Sequence, residues 1–207
     1  VYTRPMVGTP QGDSPFLLNS SYTITADITV PEGGAEGMIL TSGGRFAGYG
    51  FYLLEGKPVF LWNLVDLKRI RWEGKEALTP GRHTLEFEFK YDGLGAGTLA
   101  FNNLSGLGRS GTGILQVDGQ VADTIAVKRT LPMILQWAES FDIGSDTLTG
   151  VNDADYKPPF PLTAELNRLT IKIDRPQLSP ADIKSLEKAE AEALDGSPLR
   201  HVQAGPQ

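Results

Sequence analysis

The feature that most constrains this chain is strict two-residue alternation, which appears twice. Tyr22, Ile24, Ala26, Ile28 and Val30 alternate with Thr23, Thr25, Asp27 and Thr29, and Pro31-Glu32-Gly33-Gly34 ends the run. Leu85, Phe87, Phe89 and Tyr91 alternate likewise with Glu86, Glu88 and Lys90 before Asp92-Gly93. Successive strand side chains point to opposite faces, so each run predicts a strand with one face in a core and one in water. Between them lie three short runs separated by glycines, residues 38–41, 49–54 and 58–64. The last two are apolar on both faces, which predicts central strands covered on both sides. Residues 98–101, 113–117, 121–127, 133–137 and 162–173 are further candidates. In the last of these the phase slips from Leu162, Ala164 and Leu166 to Leu169, Ile171 and Ile173. That slip predicts a bulge near Asn167-Arg168 or two separate strands.

A single segment reads as helix. Ser179 suits an N-cap, Pro180 the first helical position, and Asp182 completes a capping-box-like pattern. Ile183, Leu186, Ala189 and Ala193 form a narrow stripe, expected to dock through Ile183 and Leu186, and Gly196 and Pro198 stop it. Many short strands with turn signals every 8–12 residues mean a sandwich or barrel. The fold expected is therefore all-β: a two-sheet jelly-roll sandwich of the concanavalin-A-like lectin/glucanase type, with one short C-terminal helix. Residues 1–19 read as an extended lead-in or linker, 20–174 as the sandwich, and 175–207 as the helix and tail.

At 207 residues the chain suits one β domain, and its net charge of -6 argues against nucleic acid or an anionic membrane as partner. No apolar run approaches the roughly 18 residues that span a bilayer. The start, VYTRPMVGTPQGDSP, shows no charged-then-apolar leader pattern. With no cysteine, the segment has neither disulfides nor thiolate chemistry.

Possible chemistry is sparse. Gly106 to Gly111 matches G-x-G-x-x-G, but the β-like GILQV follows where a dinucleotide site needs a helix. Glu86 and Glu88 share one strand face, as the carboxylates of glucanases do, yet the third position of that pattern is Tyr91. The pair therefore reads as a solvated face. His83 and His201 are the sole histidines, and no G-x-S-x-G elbow accompanies them. Asp142 and Asp146 lead an acidic Gly/Ser/Thr stretch reaching Asp153 and Asp155, which suits Ca²⁺ chemistry but lacks EF-hand spacing, so it reads more readily as a solvated, turn-forming loop. Among Tyr49, Tyr52, Trp62, Trp72 and Trp137, the residues Tyr52, Trp62 and Trp137 are the candidates for stacking on a sugar, although aromatics on strands are more often core. Asn19-Ser20-Ser21 and Asn103-Leu104-Ser105 are glycosylation sequons.

Several blocks resemble the C-terminal region of large bacterial arylsulfatases. They are residues 24–64, containing GGRFAGYG and KPVFLWNL; TPGRHTLEFEFKYDG (79–93); GTGILQVDGQ; VKRTLPMILQWAESFDIGSDTLTGV; PFPLTAELNRLTIKID; and the tail PQLSPADIKSLEKAEAEA. The resemblance runs over residues 20–195. It implies a bacterial parent enzyme, periplasmic or cytoplasmic, whose N-terminal α/β domain hydrolyses sulfate esters. That domain would use a formylglycine made from Cys or Ser in a C/S-x-P-x-R motif, beside a divalent cation. This chain has no such motif, so no catalytic residue carries over. The resemblance thus implies a non-catalytic accessory domain. It would pack on the catalytic domain, on the same or a separate chain, wall one side of the substrate cleft, and leave room for a homo-oligomer. The doubly apolar strands at 49–54 and 58–64 suggest an interface left partly uncovered. A stand-alone carbohydrate-binding sandwich is the alternative.

Overall fold

The computed structural model describes residues 1–92, 108–131, 139–174 and 179–195. The two alternating runs become β2 (Ser21–Val30) and β7 (Gly81–Tyr91), paired antiparallel with Tyr22 opposite Phe89 and Ile28 opposite His83. β8 (Gly111–Val117) and β9 (Gln120–Val127) extend this sheet on one side and β11 (Glu165–Asp174) on the other. Its order is β11-β2-β7-β8-β9. The phase slip in β11 is a single bulge between Leu166 and Arg168.

The second sheet has the order β1-β10-β3-β4-β5-β6. Its strands are β1 (Met6–Pro10), β10 (Ser140–Ile143), β3 (Gly37–Gly44), β4 (Ala47–Leu54), β5 (Lys57–Leu64) and β6 (Lys68–Glu73). Both edge strands depart from the sequence reading. The lead-in contributes β1, whose Pro10 and Gly8 carry no alternation but are tolerated at an edge. β6 alternates inward Ile70 and Trp72 with Arg69, Arg71 and Glu73, the charged outer face that protects an edge. Residues 98–101 and 133–137 lie outside the described residues.

The core fills the space between the sheets. Phe60 of β5 stacks on Phe87 of β7 with ring centroids 3.6 Å apart and planes at 10°. Trp72 meets Phe87 edge-on at 5.0 Å, and its indole N–H donates to Gly113 O at 3.0 Å. A Cβ on Gly113 would lie 2.5 Å from the Trp72 ring, so this contact needs glycine.

A second apolar layer lies on the outer face of the six-stranded sheet. Met38, Tyr52, Val59 and Leu61 meet Val151 and Tyr156, with Phe160 packed alongside. The last three belong to the long connection from β10 to β11, which crosses the sheet and is tied down at both ends. Met38 N donates to Phe160 O at 3.1 Å and Leu162 N to Gly144 O at 2.9 Å. β4 and β5 are therefore covered on both faces, as their composition requires, but the cover is the chain's own loop. This corrects the expectation of an interface left open there.

The helix α1 (Pro180–Asp195) starts where the capping pattern places it, with Ile183 N donating to Ser179 O at 3.0 Å. Ile183 is 45% exposed, so the expected docking through this residue is not made.

Candidate functional site

One end of the six-stranded sheet gathers residues far apart in sequence. β3 and β4 pair as far as Gly44 opposite Ala47, leaving Arg45 and Phe46 as a two-residue hairpin loop. Ala47 has φ 113°, in a region ordinarily taken by glycine, so the turn holds strain of roughly 1–3 kcal/mol. Asn63, fully buried at the end of β5, holds the turn: its Nδ2 donates to Gly44 O and Arg45 O, both at 2.9 Å. Its Oδ1 accepts from Asp66 N at 2.9 Å, so the same side chain also fixes the β5–β6 turn.

The long β10–β11 loop closes on this hairpin. Arg45 N donates to Thr149 Oγ1 at 3.0 Å, and Thr149 Oγ1 in turn donates to Glu139. A Cβ on Gly44 would lie 2.4 Å from Thr149 Oγ1, so glycine permits the approach. Arg45 Nε and Nη2 both donate to Asp153 Oδ2, at 2.9 and 2.5 Å. Between hairpin and loop lies an open polar cleft of about 520 Å³, lined by Arg45, Leu148, Thr149, Asp153, Lys157 and Pro158, with Gly150. Phe46 beside it is 52% exposed.

The residues singled out from sequence lie elsewhere. Asp142 sits on β10 rather than in a loop and is buried. Its Oδ1 accepts from Gly8 N at 2.7 Å and Ser140 Oγ at 2.8 Å, and its Oδ2 from Thr147 Oγ1 at 2.5 Å. It thereby ties β1 to β10. Asp146 is buried under the loop and accepts from Tyr156 O–H at 2.5 Å. Burial pushes its carboxyl up to about 6, helped by the charges of Asp142 and Glu139 and opposed by the bonds from Tyr156 and Leu148 N. Among the described residues no group of three or more His, Cys, Asp or Glu is arranged to hold a metal ion.

Tyr52 and Trp62 spend their rings on packing. Tyr52 is fully buried against Tyr156 and Phe160, and its hydroxyl donates to Asp155, which also pairs with Arg71. Trp62 is 4% exposed, lies 4.6 Å from Phe89, and donates its N–H to Tyr22 O–H at 3.2 Å. Trp137 lies outside the described residues, as do His201 and Asn103. Asn19 is 3% exposed, and its Oδ1 accepts from Gly108 N, so this sequon is part of the interior.

Glu86 does lie on the polar face of β7, where it accepts from Thr25 Oγ1 at 2.9 Å and Gln116 Nε2 at 3.3 Å. His83 joins three segments: Nδ1 meets Asp118 Oδ2 at 2.7 Å and Nε2 meets Thr79 O at 2.8 Å. Burial opposes its charge, but these two bonds outweigh burial and raise its pKa. Sequence reasoning did not assemble Arg45, Thr149, Asp153 and Lys157. The one signal was the acidic stretch itself, which contains Asp153; Arg45 and Lys157 carried none.

No protein-family model and no curated protein sequence matches the chain. Solved structures share its architecture. The mouse laminin alpha1 chain, domains LG4-5, aligns with a TM-score of 0.54 at 16% identity, over 83% of this chain and 41% of that one. The Ruminococcus gnavus IT-sialidase CBM40 aligns with a TM-score of 0.47 at 12% identity, over 83% of each chain. The chain thus spans less than half of the laminin chain it matches. At 16% identity the laminin likeness establishes the fold alone: two antiparallel sheets in a jelly-roll sandwich.

Proposed function

We propose that this chain is a non-catalytic accessory module, a lectin-type sandwich working beside an arylsulfatase-type sulfuric ester hydrolase domain on the same or a separate chain. One observation carries the reading. The blocks that resemble the C-terminal region of those enzymes meet at one corner: Gly44-Arg45-Phe46, Asn63, and the loop from Glu139 through Thr149. There, together with Asp153, Lys157 and Pro158 from the connection between two of the blocks, they line an open cleft rather than a closed core. A corner assembled from distant segments, with a strained hairpin and half-exposed charges, fits a surface that faces a ligand or a partner.

The same cleft supports a second reading, a stand-alone carbohydrate-binding module. Its polar edges and apolar wall suit a sugar, whereas the buried Tyr52 and Trp62 would have to leave the core to stack on one. Peptide mapping of the gene product isolated from its source cells separates the two. The accessory reading expects peptides upstream of Val1, or from a co-purifying chain, that carry a formylglycine within C/S-x-P-x-R. A product whose complete sequence and partners lack it leaves the carbohydrate-binding reading.

A further inference from the structure

We propose that the corner cleft is a binding site for an anionic saccharide, a sugar ring bearing one sulfate or carboxylate. The inference rests on reading the chain as a ligand-facing module and not on which enzyme stands beside it. A cleft of about 520 Å³ is within the range that holds small ligands.

Its polar groups are fixed in place but incompletely used. Asp153 Oδ2 takes both Arg45 bonds, so Arg45 Nη1 and Asp153 Oδ1 meet no protein partner among the described residues. Lys157 Nζ meets none either. Arg45 does not need ordering on binding, because Asn63, Thr149 and Asp153 already hold its backbone and guanidinium. Pre-ordered donors lower the entropic cost of capture.

The charge count selects the ligand. Two cations against one carboxylate leave a single positive charge in the cleft, which matches one acidic group. That count covers the lining residues: Asp155, behind them, is neutralised by Arg71, while Glu139 and Asp146 are outside the lining and turn their oxygens to the Thr149 and Tyr156 hydroxyls. A multiply charged phosphate would meet Asp153. Leu148, 49% exposed, and Pro158 form an apolar wall beside these groups. A sugar ring presents that combination, with C–H faces for the wall, hydroxyls for Asp153 Oδ1, and its acid for Lys157 and Arg45 Nη1.

Amide NMR titration of the chain tests the site, using 6-sulfo-N-acetyllactosamine, cellobiouronic acid, neutral N-acetyllactosamine and sodium sulfate. At least one acidic sugar is expected to shift amides at 44–46 and 148–157, and the stronger of the two identifies sulfate or carboxylate as the acid. Lys157→Gln, at an exposed position, should weaken that binding about tenfold, the loss of one charge-assisted bond, without changing the rest of the spectrum. The proposal is overturned if neither acidic sugar shifts these amides at millimolar concentration. It is also overturned if neutral sugar or free sulfate binds as tightly, or if Lys157→Gln binds like wild type. Each outcome is independent of whether a formylglycine domain accompanies the chain.

Discussion

Replacing Asp146 with Asn probes the loop that covers the six-stranded sheet. Asp146 is 2% exposed, and its carboxyl is raised from 3.8 to about 6. The folded state therefore holds this proton more tightly than the unfolded chain does. The resulting stabilisation is complete below 3.8 and is lost as pH rises through about 6. A rise of this size corresponds to about 3 kcal/mol. Asn keeps an acceptor for the Tyr156 hydroxyl but does not titrate, and the carboxylates other than its coupled neighbours Asp142 and Glu139 cancel between the two proteins. Urea unfolding at matched pH values should thus show wild type losing about 3 kcal/mol relative to Asp146→Asn between the acid limit and neutrality. Parallel stability curves would refute the burial argument. A difference of opposite sign would mean that the carboxylate is held ionised, as by a cation.

Other perturbations test other parts of the account. Phe87→Ala removes the ring stacked on Phe60 and edge-on to Trp72, and should cost about 4 kcal/mol in chemical denaturation, far above a surface change such as Thr23→Ala. His83 has a raised pKa, so its contribution is complete below 6.5 and is lost as pH rises through the higher folded value. Wild type should therefore lose thermal stability relative to His83→Gln on going from acid to alkaline pH, and an unchanged difference would remove the Asp118–His83–Thr79 link. Ca²⁺ and chelator should give the same melting midpoint, because three donors already occupy the Asp142 carboxylate. A Ca²⁺-dependent rise abolished by Asp142→Ala would instead support the cation assignment.

What could be read from sequence follows from which forces are periodic. β2 and β7 separate a core face from a wet face at every second residue, so strand, phase and core were all legible, as was the bulge at Asn167. β4 and β5, apolar on both sides, announced that they were covered but not by what. Tyr156 and Phe160, which supply the cover, sit about a hundred residues away in a loop without alternation. Edge strands were lost for a related reason: β1 contains Gly8 and Pro10, and in β6 the Arg-rich outer face masks Ile70 and Trp72. For Tyr52 and Trp62 both core packing and sugar stacking stayed open, because aromatic type does not reveal which pleat face is roofed. The cleft was least legible, since the Arg45–Asp153 pair joins residues 108 apart. Its assembly depends on Asn63 and Gly44, whose roles are backbone support and close approach.

The central proposal is that this module serves a sulfate ester hydrolase without doing the chemistry. Turnover of nitrophenyl sulfate tests it directly, comparing the isolated 207-residue chain with the intact gene product purified together with any bound partner chain. The account predicts no release of nitrophenol above a buffer blank by the isolated chain and clear turnover by the intact product. Turnover by the chain alone, or an intact product that hydrolyses no sulfate ester, would contradict it.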